Sequence, residues 1–265
     1  MTRAVLFDVD FTLIYPGPTF QGEGYQRFCA RHGLAVDPLR FEAAVSAASV
    51  MLDETVDYTH DTGLFLDYIE HIIRDMGGTG PGLRPCAEEI YREWAVNHYF
   101  SLYEDVAPTL AVLAARGLRL GLVSNTHRCL ASFQSHFDLD TFISAAISSS
   151  EHGYMKPHPS IFRTALRLLG TEAVDATMVG DNLRQDIEGA VGVGMRAVLV
   201  RRHAHGRQQA IEVTGPAGAV TVPVITSLSA LPTLLSSRGL QPRYQPEPTA
   251  AVAAGSPLHP YRTPS

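Results

Sequence analysis

From Asp105 onward the chain keeps a rhythm that few architectures can accommodate: strand-length apolar runs alternate with longer amphipathic stretches. Residues 118–123, 142–147, 177–179 and 196–200 are β-prone runs. Between and around them, 106–116, 128–136, 159–169 and 183–191 carry helical spacing, with Gly117, Gly170 and Gly192 at three of the ends. Parallel neighbours need a long crossover, and a helix supplies it. The alternation therefore predicts an α/β fold, a doubly wound, Rossmann-like parallel sheet with helices on both faces. Residues 3–9 read as its first strand. Residues 222–225 read as a short edge strand, where Pro223 is tolerated, and 227–235 as a last helix.

The block between the first strand and Asp105 has a different texture. Helical spacing covers 24–31, 39–52, 62–76 and 85–98, with a Gly-rich loop at 77–82 and no strand alternation. The predicted organisation is an α/β core of 1–15 and 101–236, an inserted all-α unit of 16–100, and a disordered tail of 237–265 rich in Pro, Gly, Ala and Ser. At 265 residues, 45% hydrophobic and 18% charged, the chain can bury a core without staples. Twenty-one Lys and Arg against 27 Asp and Glu argue against a nucleic-acid footprint. Cys29, Cys86 and Cys129 are too scattered for a disulfide framework or zinc site and read as reduced thiols. The N-terminal apolar run is too short for a signal peptide, and no stretch of ~18 apolar residues suggests a membrane span. A cytoplasmic location is expected.

In open α/β sheets, ligands bind beyond the carboxyl ends of the strands. Three such ends carry reactive polar groups here: Asp8, Asp10 and Thr12 after the first strand, Ser124 and Asn125 after a second, and Asp181, with Asp186 five residues on, after a third. Lys156 lies in a loop between. Asp8 and Asp10 repel each other, and a divalent cation relieves that cost. A carboxylate set without Cys or His suits Mg²⁺. Taken singly, Ser124 is as readily a helix N-cap, Asp181 a cap for the helix near Leu183, and Lys156 a solvated lysine. Together they describe an anion site with one metal and one lysine.

This constellation resembles the haloacid dehalogenase superfamily over residues 3–236. The resemblance rests on four stretches in order: Phe7-Asp8-Val9-Asp10-Phe11-Thr12-Leu13, Leu122-Val123-Ser124-Asn125, Lys156-Pro157, and Val179-Gly180-Asp181-Asn182 completed by Asp186. It implies a phosphatase with a helical cap inserted after the first motif, acting on a small phosphorylated metabolite, with no nucleic acid or membrane as partner. Asp8 is then the nucleophile that becomes an aspartyl phosphate, Asp10 the acid and base, and Thr12 the residue that orients Asp10. The same resemblance makes Ser124, Asn125 and Lys156 substrate ligands, with Lys156 also keeping Asp8 ionised. Asp8, Asp10 through its backbone carbonyl, and Asp181 become the Mg²⁺ ligands. Asp186 supports them from behind.

Phe11 stands where the family's common phosphatases usually carry Gly, which bears on substrate choice rather than on chemistry. Members that dehalogenate lack the second carboxylate, so Asp10 disfavours that activity. A phosphomutase or other phosphotransferase on the same site is the nearest alternative, and a non-catalytic protein of this fold is another. Monomer and dimer stay undecided. In the cap, Glu23, Tyr58, His60 and Asp61 are polar candidates for reading the leaving group, though each is as readily a surface or helix-end residue. His203-Ala204-His205 reads as a solvated loop rather than a metal site.

Overall fold

A computed structural model describes residues 2–54, 56–202 and 209–236. The expected tail of 237–265 and His203-Ala204-His205 lie outside the described residues. The elements run β1 (Ala4–Phe7), β2 (Ile14–Pro16), α1 (Gly22–Arg31), α2 (Phe41–Glu54), α3 (Thr62–Asp75), α4 (Leu83–Trp94), β3 (Phe100–Leu102), α5 (Val106–Ala115), β4 (Arg119–Ser124), α6 (Leu130–His136), β5 (Ile143–Ser148), α7 (Ser149–His152), α8 (Pro159–Leu168), β6 (Ala176–Gly180), α9 (Gly189–Gly192), β7 (Arg196–Val200), β8 (Ala210–Gly215), β9 (Gly218–Ile225) and α10 (Leu231–Ser236).

Seven strands form one sheet in the order β5-β4-β1-β6-β7-β9-β8, parallel throughout except for the antiparallel β8–β9 pair. This is the α/β sheet that the alternation predicts. β1 sits in its middle with β4 on one side and β6 on the other. Its four residues are all buried because helices cover both faces: Val5 and Phe7 pack into one apolar cluster, Ala4 and Leu6 into another. That two-residue period explains why the strand reads as an unbroken apolar run.

Helices α1–α4 are inserted between β2 and β3, and these two strands pair antiparallel at the base of the insertion. The larger apolar cluster runs without a break from β1 through Phe20 and Phe100 to Ile72, Ile73 and Ile90 inside the helical insertion. Phe20 lies at this junction, with its ring against those of Phe28, Trp94, Tyr99 and Phe100. Cys29 of α1 and Cys86 of α4 meet in the same core as thiols, Sγ to Sγ 3.9 Å, a proximity their spacing in the chain does not reveal. Among the described residues no helix is long and apolar enough to cross a membrane.

Several details depart from expectation. The 222–225 strand is not an edge: β9 lies between β7 and β8, and β8 is the outer strand. Pro223 is accommodated opposite Ala210, where the β8 ladder begins. The helix expected over 85–98 stops at Trp94, and the one expected over 128–136 starts only at Leu130. The stretch 183–191 begins as a widened π turn, Leu183–Glu188, before α9. The last two changes serve the site.

Candidate active site

The carboxyl ends of β1, β4 and β6 point to one side of the sheet, and the sequence-predicted residues gather there. Asp8 follows β1, with its backbone N–H donating to the Val179 carbonyl of β6 at 2.9 Å. Ser124 closes β4 and is buried. It does not cap α6, whose N-cap position is Cys129, and Asp181 does not cap the turn after β6, where Asn182 takes that role by accepting from the Gln185 N–H. The structural alternatives for Ser124 and Asp181 are thereby removed.

Lys156 ties the site together. Its buried ammonium donates to Asp8 Oδ1 and Asp186 Oδ1, both at 2.6 Å. Asp186 also accepts the Asn182 backbone N–H on Oδ2 at 3.0 Å. It reaches this position because the π turn rolls it inward beneath β6 and because residue 180 is Gly. A Cβ there would lie 2.3 Å from the Asp186 carboxyl carbon. Carboxylate oxygens of Asp8, Asp181 and Asp186 lie within 4.8 Å of one another. Three carboxylates face one ammonium in this pocket.

The electrostatics follow from that imbalance. Burial pushes the Asp8 carboxyl well above its ordinary range against the pull of Lys156, and Asp186 and Asp181 push it the same way. Burial, then Asp186, lifts Asp181 to about 7. Burial would lower Lys156, but Asp186 and Asp8 more than offset it and hold the ammonium charged. An all-oxygen cluster with excess negative charge suits a hard divalent cation.

Two of these side chains make contacts that their expected roles did not include. The Thr12 hydroxyl donates to Asp181 Oδ1 at 3.4 Å. Asn125, expected as a substrate ligand, spends its amide on the backbone of Lys156. Its Nδ2 donates to the Lys156 carbonyl at 2.9 Å and its Oδ1 accepts the Lys156 N–H at 2.7 Å. The same Nδ2 reaches Gln185 at 3.0 Å. Asn125 therefore positions the lysine.

Two arginines that the sequence did not single out hold the first motif. Arg128 is fully buried and donates from Nη1 to Asp10 Oδ1 at 2.9 Å and from Nη2 to the Trp94 carbonyl at 2.7 Å. Its guanidinium also lies 4.3 Å from the Phe100 ring centre. It joins Asp10 to the returning end of the helical insertion, which is why α6 starts late. Arg202 donates to both Asp105 oxygens and to the Thr12 carbonyl at 2.6 Å, and it lies over Tyr103. Of the insertion's polar candidates, Asp61 caps α3 and Glu23 is an exposed partner of Arg27. His60 bonds Ser149, while Tyr58 accepts from Arg184 and, with it, lines a small pocket beside Lys156.

A family model for haloacid dehalogenase-like hydrolases matches residues 2–194. The chain belongs to that family of hydrolases. It is 31% identical over 205 residues to human haloacid dehalogenase-like hydrolase domain-containing protein 3, covering 75% of this chain and 81% of the relative. It is 32% identical over 220 residues to a glyceraldehyde 3-phosphate phosphatase of Methanopyrus kandleri, covering 80% and 88%. The crystal structure of a HAD phosphatase from Thermococcus onnurineus superposes with a TM-score of 0.59 at 26% identity, covering 89% of this chain and 98% of that one.

Two predictions follow from the geometry. The Asp181 carboxyl sits at about 7 in the folded chain against an ordinary 3.8. Between about pH 4 and 7 the folded, metal-free protein therefore holds a proton that the unfolded chain has released. Stability is lost as pH rises through that window. In EDTA the thermal midpoint should fall over this range, and Asp181→Asn should flatten the fall; an equal slope in both proteins would refute the assignment. Arg128→Met leaves the half-buried Asp10 carboxylate and the Trp94 carbonyl without their donor, and should cost ~1–3 kcal/mol in urea unfolding. Arg128→Lys, which keeps the charge but not the two-pronged contact, should cost less.

Proposed function

We propose that the protein is a Mg²⁺-dependent phosphatase that hydrolyses a small phosphorylated metabolite through an aspartyl phosphate on Asp8. The observation that carries this reading is the Lys156 ammonium held between Asp8 and Asp186, with Asp181 alongside, at the carboxyl ends of β1 and β6. Relatives named as phosphatases support the reaction class.

The donor set fits the metal: Asp8, the Asp10 backbone carbonyl and Asp181 would hold it, while Asp186 spends its oxygens on Lys156 and the Asn182 N–H. When bound, Mg²⁺ neutralises charge on the phosphoryl oxygens. Lys156 donates to Asp8 Oδ1 and favours the charged carboxylate against the effect of burial, leaving the other oxygen to attack phosphorus in line. The bond from phosphorus to the leaving oxygen breaks as the new bond forms. Asp10 gives its proton to the departing alkoxide, using the oxygen that Arg128 does not occupy. Asp10 then takes a proton from water as that water attacks the phosphoenzyme, and inorganic phosphate and free Asp8 result. Ser124, buried at the end of β4, donates to the transferring group. The helical insertion acts as a cap that covers the site and reads the alcohol.

Activity should vanish in EDTA and return with Mg²⁺. Because the cation competes with protons for the carboxylates, Mg²⁺ should raise the thermal midpoint more at about pH 8 than at about pH 5.5. Full turnover in excess EDTA would overturn the metal assignment.

The two carboxylates of the first motif should also separate. Asp8→Asn should abolish turnover and trap no phosphate on the protein. Asp10→Asn should still phosphorylate Asp8 from an aryl phosphate, whose leaving group needs no proton, and then release phosphate slowly after a burst. Equal loss on aryl and alkyl esters with no trapped phosphate would refute this division of labour.

A further inference from the structure

A cavity of about 1070 Å³ opens from Asp10 into the helical insertion. It is larger than the ~300–1,000 Å³ of ordinary ligand pockets, so a three-carbon alcohol would leave most of it filled with water. Its walls are unusual in two respects. Ten of the residues lining it carry a Phe, Tyr or Trp ring, in a chain that is only 8% aromatic. Half-buried rings of Phe41, Phe65, Tyr91 and Trp94 face it from α2, α3 and α4. The charge is also one-sided. Asp10, Glu42, Glu104 and Asp105 contribute carboxylates, and the only Lys or Arg among the described lining residues is Arg202, which Asp105 already engages through both oxygens. A carboxylate or second phosphate on the leaving group would find no unpaired Lys or Arg among the described lining residues.

Two further observations bear on the occupant. Phe11, beside Asp10, holds a left-handed backbone conformation, φ +61°, that glycine adopts without strain. Its half-exposed ring forms part of the cavity wall and approaches Trp94. A strained ring kept at the mouth of a site points to a contact the ring makes. His127, stacked on Tyr91 with ring centres 3.8 Å apart, is the other. Burial first of all lowers it to about 4, so it is neutral near pH 7. Its buried Nε2 has no hydrogen-bond partner among the described residues. A neutral imidazole nitrogen can serve as an acceptor.

We propose that the leaving alcohol is an uncharged molecule with a planar aromatic body, seated among Phe11, Phe65, Tyr91 and Trp94, and that anionic leaving groups are rejected. Flat neutral rings gain from offset and edge contacts with such walls, while Glu42 and Glu104, the lining carboxylates without an ion pair among the described residues, repel an anion. The inference rests on the phosphatase reading for its chemistry, but the cavity can be tested apart from turnover. Trp94 is the chain's one tryptophan and lines the cavity, so its fluorescence reads occupancy directly.

Phosphate release is compared for alkyl esters of similar leaving-group basicity: 2-phenylethyl phosphate and inosine 5′-monophosphate against glyceraldehyde 3-phosphate and phosphoglycolate. The aromatic esters should show kcat/KM at least about tenfold higher, the factor that ~1.4 kcal/mol of contact supplies. Phe11→Gly removes both the ring and the backbone strain, so its thermal midpoint should hold or rise while the aromatic preference falls at least about threefold. 2-Phenylethanol should alter Trp94 fluorescence saturably, and glycolate should not. Equal or faster turnover of phosphoglycolate, an unchanged preference in Phe11→Gly, or no saturable response to 2-phenylethanol would each overturn the proposal. If no ester releases phosphate yet 2-phenylethanol still saturates the Trp94 signal, the phosphatase reading fails and the aromatic cavity stands.

Discussion

A single buried ammonium sets the terms for this site. Lys156 comes from a loop after α7, far in sequence from both partners, and lies 2.6 Å from Asp8 and from Asp186. Burying a charge costs several kcal/mol unless it is paired and hydrogen-bonded, so the surroundings must deliver two carboxylates to one point. The features around it meet that demand. Asn125 clamps the Lys156 backbone from β4's end, Gly180 leaves room for Asp186, and the π turn after β6 aims that carboxylate inward. With Asp181 close by, one ammonium faces three carboxylates, and the pocket keeps an excess of negative charge that suits a cation.

Arg128 performs a matching task on the other side of the first motif. It spans from Asp10 to the Trp94 carbonyl and lies against Phe100, so the carboxylate nearest the cavity is tied mechanically to the chain that leaves the helical insertion. Arg202 fixes the same motif from below through the Thr12 carbonyl and Asp105. The reacting loop is thus held by two cations that touch neither Asp8 nor Lys156. Packing supports this arrangement: the apolar cluster beneath β1 continues through Phe20 into α1–α4, so core and insertion share one interior. The Phe20 ring is where the two parts interlock.

The sheet was legible because both of its signals are local. β1 must be apolar on every residue when helices cover both faces, and crossover helices must separate parallel strands. The hairpin of β8 and β9 was missed although its signal was present: Ile211 and Val213 alternate with polar residues ahead of Gly215-Pro216-Ala217-Gly218. Strands β2 and β3 gave no usable signal, since each has three residues and β2 ends in a proline. α6 and the π turn diverged from helical spacing for one shared reason. Arg128 and Asp186 are drawn into contacts worth more than the turn of helix they replace.

Sequence by itself determined the α/β class, the inserted helices, and which acids stand at the strand ends with which loop lysine between them, because pattern and spacing along the chain encode those. Only the tertiary structure decided how these groups divide their hydrogen bonds. Thr12 donates to Asp181, Asn125 serves Lys156, and Asp10 belongs to Arg128. It also decided that the aromatic residues of the insertion, which helical periodicity marks only as apolar, leave a wide space between them beside Asp10. Partner choice of this kind depends on distances of a few ångströms between segments remote in sequence, and no local propensity carries that information.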